Sequence, residues 1–314
     1  MTSKPAAGGT AAMSPKPDAV DEVLTAANAR WGRHLRSLYR FPAGAEGVYL
    51  VEDDGGRYAL RYWAGAAHLE AVFAEIHRRL DHIHARGVPV PRVLAAGHVG
   101  PAYVELSEWV DGEPPEEMNA HLIDGALTVL RAMKDAAVGD GAEWGRWLRA
   151  SIDDGARNFF RPAKLRDAGG EGAAILSAAQ ELMGRFAPGD LTARDIVHGD
   201  FGLGNVLARE GAIVAVVDWS GCRDGSGCFD VTGLWWELTE AGVDPSALAR
   251  VRRELDSWPP AARATCAAHY AARQAASALG TDRQDTVFAR AWSELASADR
   301  LSPGIGRPAG TADS

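Results

Sequence analysis

The chain has 314 residues, 46% of them hydrophobic and 24% charged, which is the composition of an ordinary folded protein with a substantial core. Its formal net charge of −9 argues against nucleic acid or an anionic membrane as the main partner, because both are themselves negatively charged. Three cysteines form no disulfide framework, and no apolar run approaches the ~20 residues that cross a bilayer. We therefore expect a cytoplasmic protein.

The first elements predicted along the chain are a tail, a helix and a hairpin. Residues 1–20 are rich in Ala, Gly, Pro, Ser and Thr and predict a disordered tail, as do residues 301–314 at the other end. A helix is predicted over residues 21–38. Two strands follow at residues 47–52 and 58–63, and the Asp-Asp-Gly-Gly turn between them is a strong hairpin signal.

A second helix is predicted over residues 68–86, where apolar side chains recur at helical spacing until Gly87 ends the pattern. Two more strands are predicted at residues 93–96 and 103–110. Together these elements predict a small, β-rich N-terminal lobe over residues 21–110.

Beyond Asp111 the pattern becomes mainly helical. We predict helices at residues 121–137, 144–159, 172–186, 230–241, 245–256, 260–279 and 285–298. Only residues 196–207 and 212–218 are predicted as strand and loop. The sequence therefore predicts an α+β fold whose second, larger lobe over residues 111–300 is mainly helical.

The polar residues most suggestive of chemistry lie between His198 and Asp218. His198-Gly199-Asp200 follows an apolar pair, Asn205 comes five residues after Asp200, and Asp218 follows an apolar run that predicts a buried strand. Mg²⁺ prefers hard oxygen ligands and takes few of them from protein. Phosphoryl transfer needs such a cation, in-line positioning and an acceptor for the hydroxyl proton. The H-x-D-x-x-x-x-N spacing is that of a kinase catalytic loop.

These residues give the chain a resemblance to the aminoglycoside phosphotransferase and choline-kinase-like family of small-molecule kinases. The segments that carry it are HGDFGLGN, VVDW, and Gly225 followed by Asp230-Val231, although Gly-Ser-Gly stands where the family usually has Gly-Asp-Pro. The resemblance implies a bilobal protein-kinase-like fold that uses ATP or GTP with Mg²⁺. It also implies the site roles: Asp200 is the catalytic base, Asn205 and Asp218 are metal ligands, and His198 and Asp230 support the loop.

The N-terminal lobe offers candidates for holding the nucleotide. Arg61 stands where a kinase has the phosphate-binding lysine of its third strand, and Arg keeps the charge while adding a bidentate fork. Its predicted ion-pair partner is Glu75 on the following helix, with Glu70 in reserve. Gly44 and Gly47 are predicted to lie in a loop that covers the phosphates. By resemblance, the adenine pairs with backbone groups near Glu108 and Val110.

The acceptor is predicted less sharply than the reaction. Glu237 and Glu240 lie one turn apart on a helix near the predicted loop and are candidate contacts for a cationic substrate such as an aminoglycoside-like antibiotic. A metabolic kinase acting on choline, a sugar or homoserine is the alternative, and a nucleotide-binding scaffold without catalysis is a second one. At single positions, Asp200 as a turn residue, Arg61 as a solvated strand residue and Glu75 as a surface residue stay open.

Overall fold

The computed structural model describes residues 19–41, 47–65, 69–100, 102–155, 160–191 and 194–301. Both predicted tails lie almost wholly outside these ranges. The chain divides into two compact units, the first made of residues up to Pro114 together with Val206–Ser220, and the second of Pro115–Asn205 with the residues from Gly221 onward. Among the described residues, no helix has the length and apolar character that crossing a membrane requires.

The first unit begins with a helix and an edge strand. Helix α1 (Ala19–Trp31) ends at Gly32, whose φ of 63° lies in the left-handed region that favours glycine at helix ends. Strand β1 (Arg36–Phe41) follows and pairs antiparallel with the next strand. The prediction of helix up to residue 38 is therefore wrong beyond Trp31, because strand pairing with a distant segment determines the conformation after Gly32.

Four further strands complete an antiparallel sheet in the first unit: β2 (Val48–Asp53), β3 (Gly56–Ala64), β4 (Val93–Val99) and β5 (Ala102–Glu108). The strand order is β1-β2-β3-β5-β4, so β3 is central. Leu60 and Tyr62 of β3 belong to the core cluster that the sheet forms with α1. Because alternate side chains of a strand point to opposite faces, Arg61 projects from the other face.

Helix α2 (Leu69–Ala85) buries Phe73, Ile76, Leu80 and Ile83, the apolar stripe that the sequence predicts. The Phe73 ring stacks on Tyr103 of β5, with the ring centroids 4.9 Å apart and an interplanar angle of 12°. The buried stripe determines which polar residues of α2 face the sheet and which face solvent.

Four short strands follow in chain order: β6 (Asp195–Val197), β7 (Val206–Arg209), β8 (Ala212–Val216) and β9 (Arg223–Gly225). β6 pairs antiparallel with β9 in the second unit, and β7 pairs antiparallel with β8 in the first.

The β7–β8 hairpin belongs to the first unit although it lies far along the chain. Glu113 and Ala208 exchange two backbone hydrogen bonds, of 3.1 and 2.8 Å, and Val216 donates its N–H to Pro89 O at 2.8 Å. Gly112 packs so closely on the hairpin that a Cβ there would lie 2.7 Å from Cγ2 of Val214. The sequence prediction placed a single boundary between the lobes near residue 110, so it did not predict that residues 206–220 belong to the first unit.

The second unit is built mainly from helices. In chain order these are α3 (Ala120–Ala132), α4 (Trp144–Asp153), α5 (Pro162–Ala168), α6 (Gly170–Gly184), α7 (Cys228–Glu240), α8 (Pro245–Asp256), α9 (Pro260–Ala278) and α10 (Gln284–Arg300). Helix α5 was not predicted, because its seven residues are too few to show a clear period.

Helix α9 lies at the centre of this unit and packs against α6, α7 and α10. Its buried face consists mostly of alanines, and small side chains let neighbouring helices approach closely. At the crossing with α7, a Cβ on Gly233 would lie 2.5 Å from the hydroxyl oxygen of Tyr270. This close packing brings one turn of α9, including Tyr270 and Arg273, next to the loop that follows β6.

Candidate active site

The HGD loop (residues 198–205) leaves the fully buried strand β6 and is shaped by Asp230 in the first turn of α7. The Asp230 carboxylate accepts the backbone N–H of His198 at 2.7 Å and that of Gly199 at 2.9 Å. Gly199 has a φ of 87°, and a Cβ there would lie 3.0 Å from the carbonyl oxygen of Gly221. The sequence therefore needs glycine at this position and an acceptor at position 230 for the loop to take this form.

His198 and Asp230 are both completely buried. The backbone N–H of Asp200 is directed at Nδ1 of His198, 3.2 Å away. Burial raises the pKa of Asp230 to about 6, and this rise is the net result after His198 and the two backbone donors have lowered the pKa. Both residues thus contact the backbone of the HGD loop, as expected for the supporting role that was predicted for them.

Asp200 is the exposed carboxylate of this loop, with 47% of its side chain accessible to solvent. Nδ2 of Asn205 donates to the carbonyl oxygen of Asp200 at 2.8 Å and approaches its Oδ2 at 3.4 Å. Because the amide nitrogen of Asn205 is directed at Asp200, its carbonyl oxygen is the atom left to face a metal ion. The donor chemistry of the loop therefore fits the Mg²⁺ ligand that was predicted at Asn205.

Arg273 of α9 also reaches Asp200, and no sequence pattern indicated it. Its Nη2 donates to Oδ1 of Asp200 at 2.5 Å, and its Nη1 donates to the carbonyl oxygen of Gly199 at 3.3 Å. Arg273 and Asp200 are 73 residues apart and share no motif. The sequence feature that could have identified Arg273 is its position in an alanine-rich helix, because such a composition predicts a buried helix in which a cation needs a partner.

In the first unit, Arg61 and Asp218 form an ion pair. Nη2 of Arg61 lies 2.8 Å from Oδ1 of Asp218, and the hydroxyl of Ser220 donates to the same oxygen at 2.9 Å. Asp218 has a φ of 64°, which is uncommon for a residue other than glycine, and Nε1 of Trp219 donates to Val216 O at 2.7 Å just beside it. A carboxylate offers the hard oxygen atoms that Mg²⁺ binds, and a guanidinium has the charge and geometry that suit a phosphate group.

The predicted ion pair between Arg61 and Glu75 is wrong. Glu75 lies on the solvent side of α2, with 54% of its side chain exposed, and it pairs with Arg78 at 2.5 Å and Arg79 at 3.7 Å. The physical reason is the buried stripe of α2, which places Glu75 on the opposite side of the helix from Phe73. The polar α2 residues that reach the sheet are His77, whose Nε2 lies 2.7 Å from Oε2 of Glu105, and the reserve candidate Glu70, whose Oε2 lies 3.8 Å from Nε2 of His98 on β4.

The remaining nucleotide candidates are placed as follows. Gly44 lies outside the described residues. Gly47 is buried just before β2, where a Cβ would lie 2.9 Å from the Tyr49 ring. Glu108 is the last residue of β5 and donates its N–H to Arg92 O at 3.0 Å. Its carboxylate pairs with the Arg92 guanidinium, and this pairing holds the pKa of Glu108 below its usual range. Val110 follows in the connecting segment.

Glu237 and Glu240, the candidate substrate contacts, both pair with other groups of the protein. Oε2 of Glu237 accepts the backbone N–H of Leu203 at 2.8 Å and lies directly against Gly202, so it holds the HGD loop from the α7 side. Glu240 is paired with Arg283. Both carboxylates thus have partners within the protein, and their contact with a substrate cation stays a prediction.

The antiparallel sheet unit, the helical unit and the HGD loop are those of a protein-kinase-like fold. The model of the phosphotransferase enzyme family, APH, matches residues 37–269. The chain therefore belongs to this family.

Among curated proteins, hygromycin-B 4-O-kinase of Escherichia coli is 38% identical over 64 residues, which is 20% of this chain and 18% of that protein. The match thus spans less than a fifth of the relative's length.

Solved structures match over most of the chain. Aminoglycoside phosphotransferase APH(4)-Ia has 19% identity and a TM-score of 0.63, with 91% of this chain and 100% of that chain covered. A thermostable mutant of the same phosphotransferase, in a ternary complex with ADP and hygromycin B, has 18% identity and a TM-score of 0.60, covering 90% and 99%. An aminoglycoside phosphotransferase from Alicyclobacillus acidocaldarius has 16% identity and a TM-score of 0.54, covering 93% and 98%. At these identities the likeness shows the fold.

Proposed function

We propose that the protein transfers the γ-phosphate of ATP or GTP to a hydroxyl group of a small molecule. The observation that carries this proposal is the half-exposed carboxylate of Asp200, fixed on a loop that Asp230 and Glu237 hold through its backbone N–H groups. A rigid, solvent-facing carboxylate beside an amide is suited to receive a hydroxyl and its proton.

In this mechanism, Asp200 accepts a hydrogen bond from the acceptor hydroxyl, orients its oxygen for in-line attack and takes its proton as the new O–P bond forms. Asn205 and Asp218 are the proposed ligands of Mg²⁺, which neutralises phosphate charge when bound. Arg61, paired with Asp218 at 2.8 Å, is the proposed phosphate-binding cation of the first unit.

For the nucleotide base, we propose the backbone at the end of β5 as the binding edge. The N–H of Glu108 is already donated to Arg92 O, so the group of Glu108 that we propose for the base is its carbonyl oxygen, as a hydrogen-bond acceptor. In the part of the chain that the structure describes, the N–H of Val110 has no hydrogen-bond partner. A carbonyl and an N–H two residues apart can pair with the edge of a purine.

For the acceptor, we propose an aminoglycoside-like antibiotic. The support comes from the family, from the similarity to hygromycin-B 4-O-kinase, and from the fold neighbour solved in complex with ADP and hygromycin B. A metabolic alcohol kinase is the alternative. A panel of aminoglycosides, choline, simple sugars and homoserine, incubated with Mg·ATP and analysed by mass spectrometry, separates the two.

The test of the mechanism is the pair of variants Asp200→Ala and Asp200→Asn. Both remove the proton acceptor, and Asn keeps the size and polarity of the side chain. We expect kcat to fall by about 100-fold or more in both, while the affinity for nucleotide, measured by calorimetry, stays within a few-fold of the wild type. Wild-type turnover in either variant would contradict the mechanism.

A further inference from the structure

The residue that the kinase-like pattern leaves unexplained is Arg273. It lies on α9 with only 19% of its side chain exposed, and its guanidinium carbon lies 5.4 Å from the centre of the Tyr270 ring. Burying a guanidinium is costly unless it is paired and hydrogen-bonded. The partners it has are Oδ1 of Asp200 at 2.5 Å and the carbonyl oxygen of Gly199 at 3.3 Å.

The contacts of Asp200 distinguish its two carboxylate oxygens. Oδ1 is engaged by the short, charge-assisted bond from Arg273, whereas Oδ2 has a long approach of 3.4 Å from Nδ2 of Asn205. The carboxylate is therefore held on one side by a buried cation and presents its Oδ2 side for a further hydrogen bond. Arg273 also binds the carbonyl oxygen of Gly199, so it fixes the loop backbone just before Asp200 as well.

We propose that Arg273 is a positioning residue for Asp200. It holds Oδ1 so that Oδ2 receives the acceptor hydroxyl, and it offsets the negative charge of the carboxylate. This inference rests on the proposed function, because it concerns the same reaction. Arg273 itself forms and breaks no bond: the hydroxyl proton passes to Oδ2, the hydroxyl oxygen bonds to the γ-phosphorus, and the nucleoside diphosphate leaves with the bridging oxygen.

The charge of Arg273 has a consequence for binding. An unpaired carboxylate attracts ammonium groups, and an acceptor rich in amines would then bind Asp200 through an ammonium instead of a hydroxyl. Because Arg273 already pairs with Asp200, the site favours a neutral hydroxyl at this position. Loss of Arg273 should therefore make small organic cations better inhibitors.

The experiment compares Arg273→Ala with Arg290→Ala as a matched control. Arg290 is likewise a partly buried arginine of the same unit, but it donates to the backbone carbonyls of Trp235 and Trp236. We expect Arg273→Ala to lower kcat by about 100-fold with little change in the KM for nucleotide, and millimolar guanidinium chloride to restore part of kcat relative to sodium chloride. Guanidinium should restore no activity to Arg290→Ala.

A second readout uses methylammonium chloride as the probe. In Arg273→Gln we expect it to inhibit at about tenfold lower concentration than in the wild type, because Asp200 has lost its cation. If Arg273→Ala does not fold, Arg273→Lys replaces it, and we expect kcat about tenfold below wild type because one ammonium cannot hold both acceptors.

The inference is overturned if kcat of Arg273→Ala, or of Arg273→Lys in its place, lies within twofold of the wild type. It is equally overturned if guanidinium restores no activity to Arg273→Ala and methylammonium inhibits Arg273→Gln no better than the wild type. Activity in Asp200→Ala would instead overturn the proposed function, so the two failures are distinguishable.

Discussion

At the scale of single residues, the HGD loop is hydrogen-bonded through its backbone to carboxylates of the neighbouring helix α7. Asp230 and Glu237 both lie on α7, and each accepts a backbone N–H of the loop. The spacing of His198, Asp200 and Asn205 was sufficient to predict where the loop lies. The spacing did not predict Glu237 or Arg273 as its supports, because their contacts depend on how α7 and α9 pack.

Asp230 makes the stability of the protein depend on pH. In the unfolded chain its carboxyl has the ordinary pKa of 3.8, and burial raises the pKa to about 6 in the folded protein. The folded state therefore binds the proton more tightly than the unfolded chain. The contribution of Asp230 to the free energy of unfolding is greatest below about pH 4 and is lost as the pH rises through about 6.

We predict that the free energy of unfolding of the wild type, relative to Asp230→Asn, rises as the pH falls from about 7 to about 4. The two pKa values give a change of about 2 kcal/mol across this window. Urea denaturation of both proteins at several pH values measures the difference. Parallel pH dependence in the two proteins would show that Asp230 is not the group responsible.

Glu237 is predicted to affect turnover rather than substrate binding. In Glu237→Ala the N–H of Leu203 loses its acceptor, so the HGD loop becomes less well ordered and kcat falls by about tenfold. Steady-state kinetics should show an acceptor KM within about twofold of the wild type. A large rise in that KM with unchanged kcat would instead identify Glu237 as a substrate contact.

At the scale of elements, local patterns predicted the helices well where an apolar stripe was long. Helix α8 has the bounds expected, and α2 buries the stripe that its spacing indicates. Strand β1 was missed because its side chains are mostly exposed and its pairing partner, β2, determines its conformation. The membership of the β7–β8 hairpin in the first unit is likewise set by bonds to Glu113 and Pro89.

The crossing of α7 and α9 gives a prediction at this scale. Gly233→Ala would place a methyl group 2.5 Å from the Tyr270 hydroxyl, so we expect a loss of about 1–3 kcal/mol from overpacking. Gly184→Ala is the matched control, since nothing lies within 4 Å of a Cβ at that helical position. There we expect no loss, or a gain of about 0.5 kcal/mol.

Thermal denaturation of the two variants provides the measurement. Equal melting temperatures for Gly233→Ala and Gly184→Ala would show that α7 and α9 are not packed as closely as described. Because α9 carries Arg273 and α7 carries Asp230, the same crossing fixes two supports of the HGD loop.

At the scale of the whole molecule, the sequence predicted the class of fold and reaction better than the acceptor. The family match and the protein-kinase-like fold bear out the resemblance that HGDFGLGN and VVDW indicated. Acceptor specificity comes from side chains that many segments bring together, so the prediction based on Glu237 and Glu240, which lie on one helix, describes at most part of such a site. The net charge of −9 is spread over the chain and selects no one acceptor.

The central claim is transfer of the terminal phosphate to a small-molecule hydroxyl at Asp200. The most direct measurement follows ATP labelled with ¹⁸O in its γ-phosphate, with Mg²⁺ and the acceptor panel, by mass spectrometry. We predict that one acceptor gains a labelled phosphate with the wild type and gains none with Asp200→Ala. Label found only in inorganic phosphate across the whole panel, or an equal gain with Asp200→Ala, would contradict the claim.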